Sequence, residues 1–256
     1  MKIASWNVNS VRARLDRVLG WLDQERPDVL CLQETKVVDA DFPEEPFRGA
    51  GYHALVHGQK TYNGVAILSR APVVELARGF DDGHDDLGAR FLAAQVEGVL
   101  VASVYVPNGR EVDSTHFHDK LAWLGRLRAF LERRSAPAAE VVLCGDWNVA
   151  PDDRDVYDPE GWVGRLHCHP DERAALRELC AWGLTDTYRL HESGGGKYSW
   201  WDYRQLAFPR NHGLRIDLIL ASRPVADRCV RAAIDRDARK GKGASDHTVI
   251  WAELDR

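Results

Sequence analysis

Apolar runs of strand length, arriving mostly in pairs, set the strongest limit on how this chain can fold. "YHALVH" and "GVAILSR" flank a turn at Tyr62–Gly64, and "RFLAAQVEG" and "VLVASVYVP" meet at Gly98 in the pattern of a hairpin. Further strands are expected at Met1–Val8, Asp28–Glu34, "EVVLCGDWN", "RIDLILAS" and "HTVIWAEL". A few helical patterns lie between them. Leu15, Val18, Leu19 and Leu22 recur at helical spacing, with Ser10 as candidate N-cap and Pro27 just past the end. His116–Arg134 carries Phe117, Leu121, Leu124, Leu127, Phe130 and Leu131 on one face, and Asp171–Trp182 reads as a helix started by Pro170. Paired strands with few helices predict an α/β protein rich in antiparallel sheet, as two packed sheets with helices outside. A length of 256 residues allows one large domain or two small ones. No linker or low-complexity tract divides the chain, so one domain over residues 1–256 is expected. "IASWNVN" and "VVLCGDWNVA" both run strand, Trp-Asn, loop, a faint echo that two related halves facing one cleft would explain.

Composition excludes several classes. No apolar run approaches the roughly 20 residues of a membrane helix, and "MKIASWNV" lacks the long apolar stretch and cleavage site of a signal peptide. Five cysteines without a C-x-x-C pair read as buried, reduced thiols. A cytoplasmic protein is expected. The net charge of −5 neither advertises nor excludes a nucleic-acid partner, because phosphate affinity depends on where Lys and Arg cluster.

The apolar runs share one oddity: they end in, or are interrupted by, polar groups. These are Asn7 and Asn9 in "WNVN", Glu34 in "LQET", Tyr105 and Asn108 in "VYVPNG", Asp146 and Asn148 in "GDWN", Asp217 in "RIDLIL", and Asp246 and His247 in "SDHT". Loops held at strand ends by a rigid scaffold are where binding and catalytic groups usually sit. The residue types fit phosphodiester hydrolysis. Glu34 and the Asn9 side chain are hard oxygen ligands suited to Mg²⁺. Asp217 paired with His247 would orient an imidazole and stabilise its charged form. Asp146 with Asn148 would orient and deprotonate an attacking water, and Asn and Tyr groups donate to developing negative charge.

Taken in order, "WNVNSVRAR", "LQETK", "YNGVAILSR", "YVPNG", "GDWNVAP", "YSWWDYR", "GLRIDLIL" and "SDH" resemble the bacterial exonuclease III family of abasic-site endonucleases, from Lys2 to about Leu254. The resemblance implies a four-layered α/β sandwich of the DNase I-like kind, with two packed mixed sheets flanked by helices. It implies Mg²⁺ as cofactor, with Mn²⁺ as a substitute, and double-stranded DNA with abasic sites or blocked 3′ ends as partner, bound by a monomer. Carried across by motif, Glu34 is the principal metal ligand with Asn7 and Asn9 nearby. Asp246 supports the site or a second metal. Asp146 is the base or water-positioner, ranked ahead of Tyr105. Asn148 helps bind phosphate, and Tyr105 and Asn108 contact it, with Tyr105 assisting the leaving group. His247, oriented by Asp217, binds a phosphoryl oxygen. Trp200, Leu214 and Ile216 match the apolar pocket for an extruded abasic sugar, a slot too tight for a normal nucleotide. Lys36, Arg90, Arg110 and Arg204 are candidate contacts to the DNA backbone. Leu214 stands where some relatives carry Trp, and the acids of "GHDDLGAR" put DNA contact through Arg90 in question.

Plainer readings compete. Asp146 and Asn148 alone suit a turn, and a lone His247 suits a structural role. Asp217 resists such a reading, because a carboxylate within an apolar strand needs a partner. His167, Cys168 and His169 in "LHCHP" lack a second, matching ligand pair and are not assigned a metal. Trp123, Trp162, Trp182 and Trp201 read as packing, and Arg236–Lys242 as a solvated basic loop with phosphate contact as the alternative. A phosphatase or phosphodiesterase for a small or lipid phosphate and an inactive DNA-binding relative are the competing functions. "SWWDYR" and the pocket residues weigh against the former, and the intact set of catalytic positions against the latter.

Overall fold

The computed structural model describes residues 1–255; among these, twelve strands make two six-stranded mixed sheets. The first sheet contains β1 (Lys2–Asn7), β2 (Val29–Gln33), β3 (His53–His57), β4 (Val65–Ser69), β11 (Cys229–Asp235) and β12 (Val249–Leu254), in the order β11-β12-β1-β2-β4-β3. The second contains β5 (Val74–Arg78), β6 (Phe91–Val96), β7 (Val99–Tyr105), β8 (Val141–Asp146), β9 (Leu184–Asp186) and β10 (Asp217–Ser222), in the order β5-β6-β7-β8-β10-β9. In each sheet one parallel pair sits at the centre, β1 with β2 and β7 with β8, and the remaining pairs are antiparallel. Read from β5, the second sheet repeats the first strand for strand, with β7 and β8 in the places of β1 and β2, so the echo in the sequence, which lies on β1 and β8, joins strands that are not equivalent in the repeat.

The layers follow from burial. Ile3, Cys31, Ile67, Val101, Cys144, Ile219 and Ile250 pack between the sheets. On the outer face of the second sheet, α3 (Thr115–Arg134) and α4 (Pro170–Cys180) lay Trp123, Leu127, Phe130, Leu176 and Leu179 on Phe91, Leu143 and Leu218. On the outer face of the first, α1 (Leu15–Glu25) and α2 (Glu44–Gly49) bring Val18, Trp21, Leu22 and Phe47 onto Ala4, Leu30 and Leu68. This is the expected helix–sheet–sheet–helix sandwich. Near the end of β2 the apolar seam is broken by a satisfied polar network, in which Gln33 Nε2 donates to Ser5 Oγ and Ser103 Oγ, each at 3.1 Å. Buried polar groups fully paired in this way fix register between sheets, here one residue from Glu34.

Local signals explain the boundaries. Ser114 caps α3 by accepting from the Phe117 N–H, and Pro170 takes the first position of α4 behind a capping box of His169 and Glu172. Glu97 and Gly98 both have positive φ, the primed turn that closes the β6–β7 hairpin. Ser10 does not cap α1. It lies in a loop at φ 91° and the helix starts later, at Leu15, with no side-chain cap. β5, β9 and β11 were not among the strands expected from sequence.

Candidate active site

The polar strand ends converge on one edge of the sandwich. Tyr105 pairs with Asp146, and Asp146 with Asp217, so three candidate site residues stand in register across β7, β8 and β10. From the first sheet, Asn7 ends β1 and Glu34 follows β2. The Asn7 carboxamide joins the sheets, donating to Glu34 Oε1 at 2.9 Å and to Asp146 Oδ2 at 3.0 Å. His247 Nδ1 lies 2.9 Å from Asp217 Oδ2, and its Nε2 lies 3.6 Å from Asp146 Oδ2. Ligand atoms of Glu34, Asp146 and His247 fall within 4.8 Å of one another. The two halves also build this edge alike. Asn7 Oδ1 accepts from the Asn9 N–H at 3.1 Å, and Asp146 Oδ1 accepts from the Asn148 N–H at 2.9 Å. In each case the third residue, Asn9 or Asn148, is left-handed, at φ 46° and 51°. Asn is among the side chains that tolerate this conformation, and the turn lifts the chain out of the sheet.

Around this core stands a second set. Asn108 Nδ2 donates to Asn148 Oδ1, and Asn148 Nδ2 to the Val106 carbonyl. Tyr105 OH donates to Glu34 Oε1 at 2.9 Å. Asn9 and Asp246 face each other rather than Asp146: Asp246 accepts from Asn9 Nδ2 at 3.0 Å and from Trp200 Nε1 at 3.1 Å. Lys36 links this pair to the centre, with Nζ 2.6 Å from Asn9 Oδ1 and 2.8 Å from Glu34 Oε2. Arg90 lies over the Tyr105 ring at 4.6 Å and donates to the carbonyls of Leu87 and Tyr105, so it braces Tyr105. Arg110 and Arg204 are exposed, and Arg110 lines a cleft of about 400 Å³ with Tyr62, Arg90, Tyr105, Asn108 and His116. Of the acids in "GHDDLGAR", Asp86 is held by Arg126 of α3 at 2.5 Å, and Asp82, just before that stretch, is held by the same guanidinium at 2.7 Å.

Trp200, Leu214 and Ile216 do form one apolar cluster, with Ala150, Val156, Cys168 and Trp162. His167 borders it, its ring 6.4 Å from that of Trp200 and its Nδ1 on the Asn148 carbonyl at 2.6 Å. Sequence reading had set His167 aside, and it had no signal for three further supports. Ser199 Oγ accepts from the N–H groups of Ile216 and Asp217. Ser245 Oγ donates to the Asn7 carbonyl at 2.7 Å. Lys120 reaches the site from α3, fully buried. The basic run is only partly solvated. Arg236 lies over Phe208 at 4.2 Å and Arg239 packs on Tyr203 and Phe208, which makes half of the segment aromatic packing rather than open loop.

Residues 4–247 match the Endonuclease/Exonuclease/phosphatase family. This chain belongs to that family. Exodeoxyribonuclease III of Haemophilus influenzae is 37% identical over 99% of this chain and 100% of the relative. An AP endonuclease from Archaeoglobus fulgidus superposes with a TM-score of 0.94 at 39% identity, covering 100% of both chains. A 3′ phosphatase from Neisseria bound to a product DNA hairpin does so with a TM-score of 0.95 at 41% identity, again over 100% of both. Within the family, this chain is an enzyme of the exodeoxyribonuclease III type.

The family site has marked electrostatics. Burial and the neighbouring charges of Asp217 and Glu34 push Asp146 up to about 7, against the opposing pull of His247 and Asn7. Burial alone would lower His247, but Asp217 and Asp146 raise it to about 10, so the ring is an imidazolium at neutral pH. For Glu34 burial acts upward, and the hydrogen bonds from Asn7 and Lys36 outweigh it and hold the carboxyl ionised below its usual range. Burial and the Glu34 charge keep the Tyr105 phenol protonated, a donor rather than a base. Glu34 and Asp146 crowd together with a third buried carboxylate, Asp217, whose Oδ1 has no hydrogen-bond partner. Hard oxygens packed this closely, with surplus negative charge, suit a divalent metal.

Proposed function

We propose that this enzyme is a Mg²⁺-dependent DNA-repair nuclease that cuts duplex DNA 5′ to abasic sites and acts on 3′ ends as exonuclease and phosphodiesterase. The observation that carries the reading is the Glu34–Asn7–Asp146–His247–Asp217 chain of contacts across both sheets. It supplies an ionised carboxylate, a base tuned near neutrality and a fixed imidazolium, which phosphodiester hydrolysis needs together.

Glu34 would hold Mg²⁺, with Asn7 and Asp146 beside it, and Asn9 and Asp246 forming the adjoining support or second site. Mn²⁺, with similar ligand preferences, would substitute. The bound ion supplies neutralisation of phosphoryl charge. Asp146 takes the proton of the attacking water. His247, held by Asp217, donates from Nε2 to a non-bridging oxygen, and Asn108 and Asn148 donate to the same phosphate. Tyr105 gives a hydrogen bond to the leaving oxygen. Trp200, Leu214 and Ile216 would receive the abasic sugar. Arg110 and Arg204 would meet the DNA backbone, with Lys36 and Arg90 acting from the inner ring. A monomer in one domain, working in the cytoplasm, completes the reading; no helix among the described residues is long and apolar enough to cross a membrane.

One observation weights the balance toward 3′ ends. Leu214 and Ile216 are 0% and 2% exposed, and His167 stands against Trp200 beside them, so this cluster offers almost no surface to an extruded sugar. A labelled duplex carrying one stable abasic analogue tests the reading with Mg²⁺ or EDTA. A 3′-phosphoryl duplex, an undamaged duplex and a soluble inositol phosphate run alongside. Mg²⁺-dependent nicking 5′ to the lesion, or release at the 3′ terminus, is expected, the second faster than the first. Hydrolysis of the inositol compound alone would transfer the enzyme to small-molecule phosphate chemistry.

A further inference from the structure

Lys120 has no exposed surface, yet it carries a charge into the core from the middle of a helix turn on α3. All three of its N–H donors have acceptors: the Asn148 carbonyl at 2.7 Å, the Asn108 carbonyl at 3.3 Å, and Glu172 Oε1. Glu172 is equally buried, and its other oxygen accepts from the His169 N–H at the start of α4. A helix cap is thus wired through one ion pair to the two loops that carry Asn108 and Asn148.

Stability alone is a poor reason for this arrangement. Replacing a buried ion pair by apolar side chains of similar volume is often neutral or stabilising. What an apolar pair cannot do is hold two carbonyl oxygens. Both loops have left their strands, so neither carbonyl has a ladder partner. Asn148 needs restraint most, because it is a non-glycine residue at φ 51°. Its N–H is fixed by Asp146, its carbonyl by Lys120 and His167, and its side chain by Asn108 and Val106. The loop also closes tightly on the lysine stem: a Cβ on Gly109 would come within 3.2 Å of Lys120 Cδ.

We propose that Lys120, with Glu172 as its counter-ion, is a positioning residue that aims Asn108 and Asn148 at the scissile phosphate. The inference rests on the reading of those two asparagines as phosphate-binding groups. The test is the double variant Lys120→Met/Glu172→Gln, which removes the charge pair and keeps an oxygen to cap α4. Four quantities are measured for it and for the wild type: thermal midpoint, Mg²⁺ concentration for half-maximal rate, kcat/KM on a 3′-phosphoryl duplex, and affinity for inorganic phosphate. The expected result is a folded protein with unchanged Mg²⁺ midpoint, kcat/KM lower by about tenfold to a hundredfold, and phosphate bound about tenfold more weakly. A purely structural pair would move the thermal midpoint and leave the other quantities alone. A folded double variant with wild-type kcat/KM and phosphate affinity overturns the proposal. Should the wild type prove inactive on DNA, the functional reading fails by itself, and the phosphate measurement still decides for or against Lys120.

Discussion

Asp146 is engaged through both of its carboxylate oxygens. Oδ1 takes the Asn148 N–H, and Oδ2 takes the Asn7 amide and faces His247 Nε2. Asp146→Asn would keep the shape, lose the proton acceptor and bring a second N–H₂ group against Asn7. General-base contributions run to about 10²–10⁴ in rate, so kcat should fall by about a thousandfold or more, with DNA affinity in a binding titration nearly unchanged. A near-native kcat would remove Asp146 from the chemistry. His167 makes a different prediction. Burial and the Lys120 charge lower it to about 3 from 6.5. Above pH 6.5 it is neutral whether folded or not; below, the unfolded chain binds a proton that the fold refuses until about pH 3. It therefore lowers stability by about 1.4 kcal/mol per pH unit as pH falls through that window. His167→Gln should lose this component, and urea titrations of both proteins between those limits would read it as a shrinking difference. Parallel curves would mean that the imidazole protonates freely in the fold. These residues also mark what sequence could reveal of the site. Asn7, Glu34, Asp146, Asp217 and His247 act through side chains placed where a strand has no structural need of them, and that is visible in one dimension. Ser199, Ser245, Lys120 and His167 act on backbone N–H and C=O groups, which every residue has, so nothing in the sequence singles them out.

At the scale of elements, the site depends on how closely β7 and β8 approach. Gly145 faces Val104 one residue before the end of that parallel pair, where a Cβ would stand 1.8 Å from the Val104 carbonyl oxygen. The obstacle is backbone, so it cannot swing away as a side chain would. Gly145→Ala should cost about 2–3 kcal/mol, at the upper end of overpacking effects. It should also shift Asp146, the next residue, against Asn7. Urea denaturation with kcat measured on the folded protein tests both, and an alanine variant with native stability would show that the strands separate without penalty. Apart from β3, an edge strand whose apolar pattern is legible beside β4, the strands expected from sequence lie inside the sheets. The three it missed, β5, β9 and β11, are all at sheet edges. β5 is exposed along most of its length, β9 has three residues, and β11 alternates weakly around exposed Val230 and Arg231. An edge strand packs against one neighbour only, so its apolar periodicity is faint, and edges favour charge as protection against pairing with other chains. The late start of α1 has a related cause. The chain through Asn9 and Ser10 is committed to site geometry with positive φ, which no helix accommodates.

Across the whole molecule, the two sheets bring like charges to a common edge. The first sheet delivers Glu34 and Asn7, the second Asp146 and Asp217, with His247 on the segment that leads into β12. Elsewhere the sheets meet through apolar packing and the Gln33–Ser5–Ser103 network. At the edge they meet through carboxylates that repel: two unit charges about 4 Å apart interact by roughly 4 kcal/mol at the effective dielectric of a partly buried site. Asn7 and His247 offset part of this, and burial, with the repulsion that remains, raises the affinity of Asp146 for a proton. A divalent cation bound between Glu34 and Asp146 would therefore do more than assist catalysis, since it would tie one sheet to the other. At a hundredfold excess over its dissociation constant, Mg²⁺ held there would stabilise the native state by about 2.7 kcal/mol. In a chain of this length that raises the thermal midpoint by about 5–10 °C over the protein in EDTA. Glu34→Gln should lose most of the Mg²⁺-induced shift and have a midpoint in EDTA at or below that of the wild type, because Lys36 loses the charged partner that the fold favours at this position. Scanning calorimetry of the two proteins with and without Mg²⁺ separates the cases. A full shift in the glutamine variant would place the ion away from Glu34, and the convergence of the two sheets would then need a reason other than a shared metal.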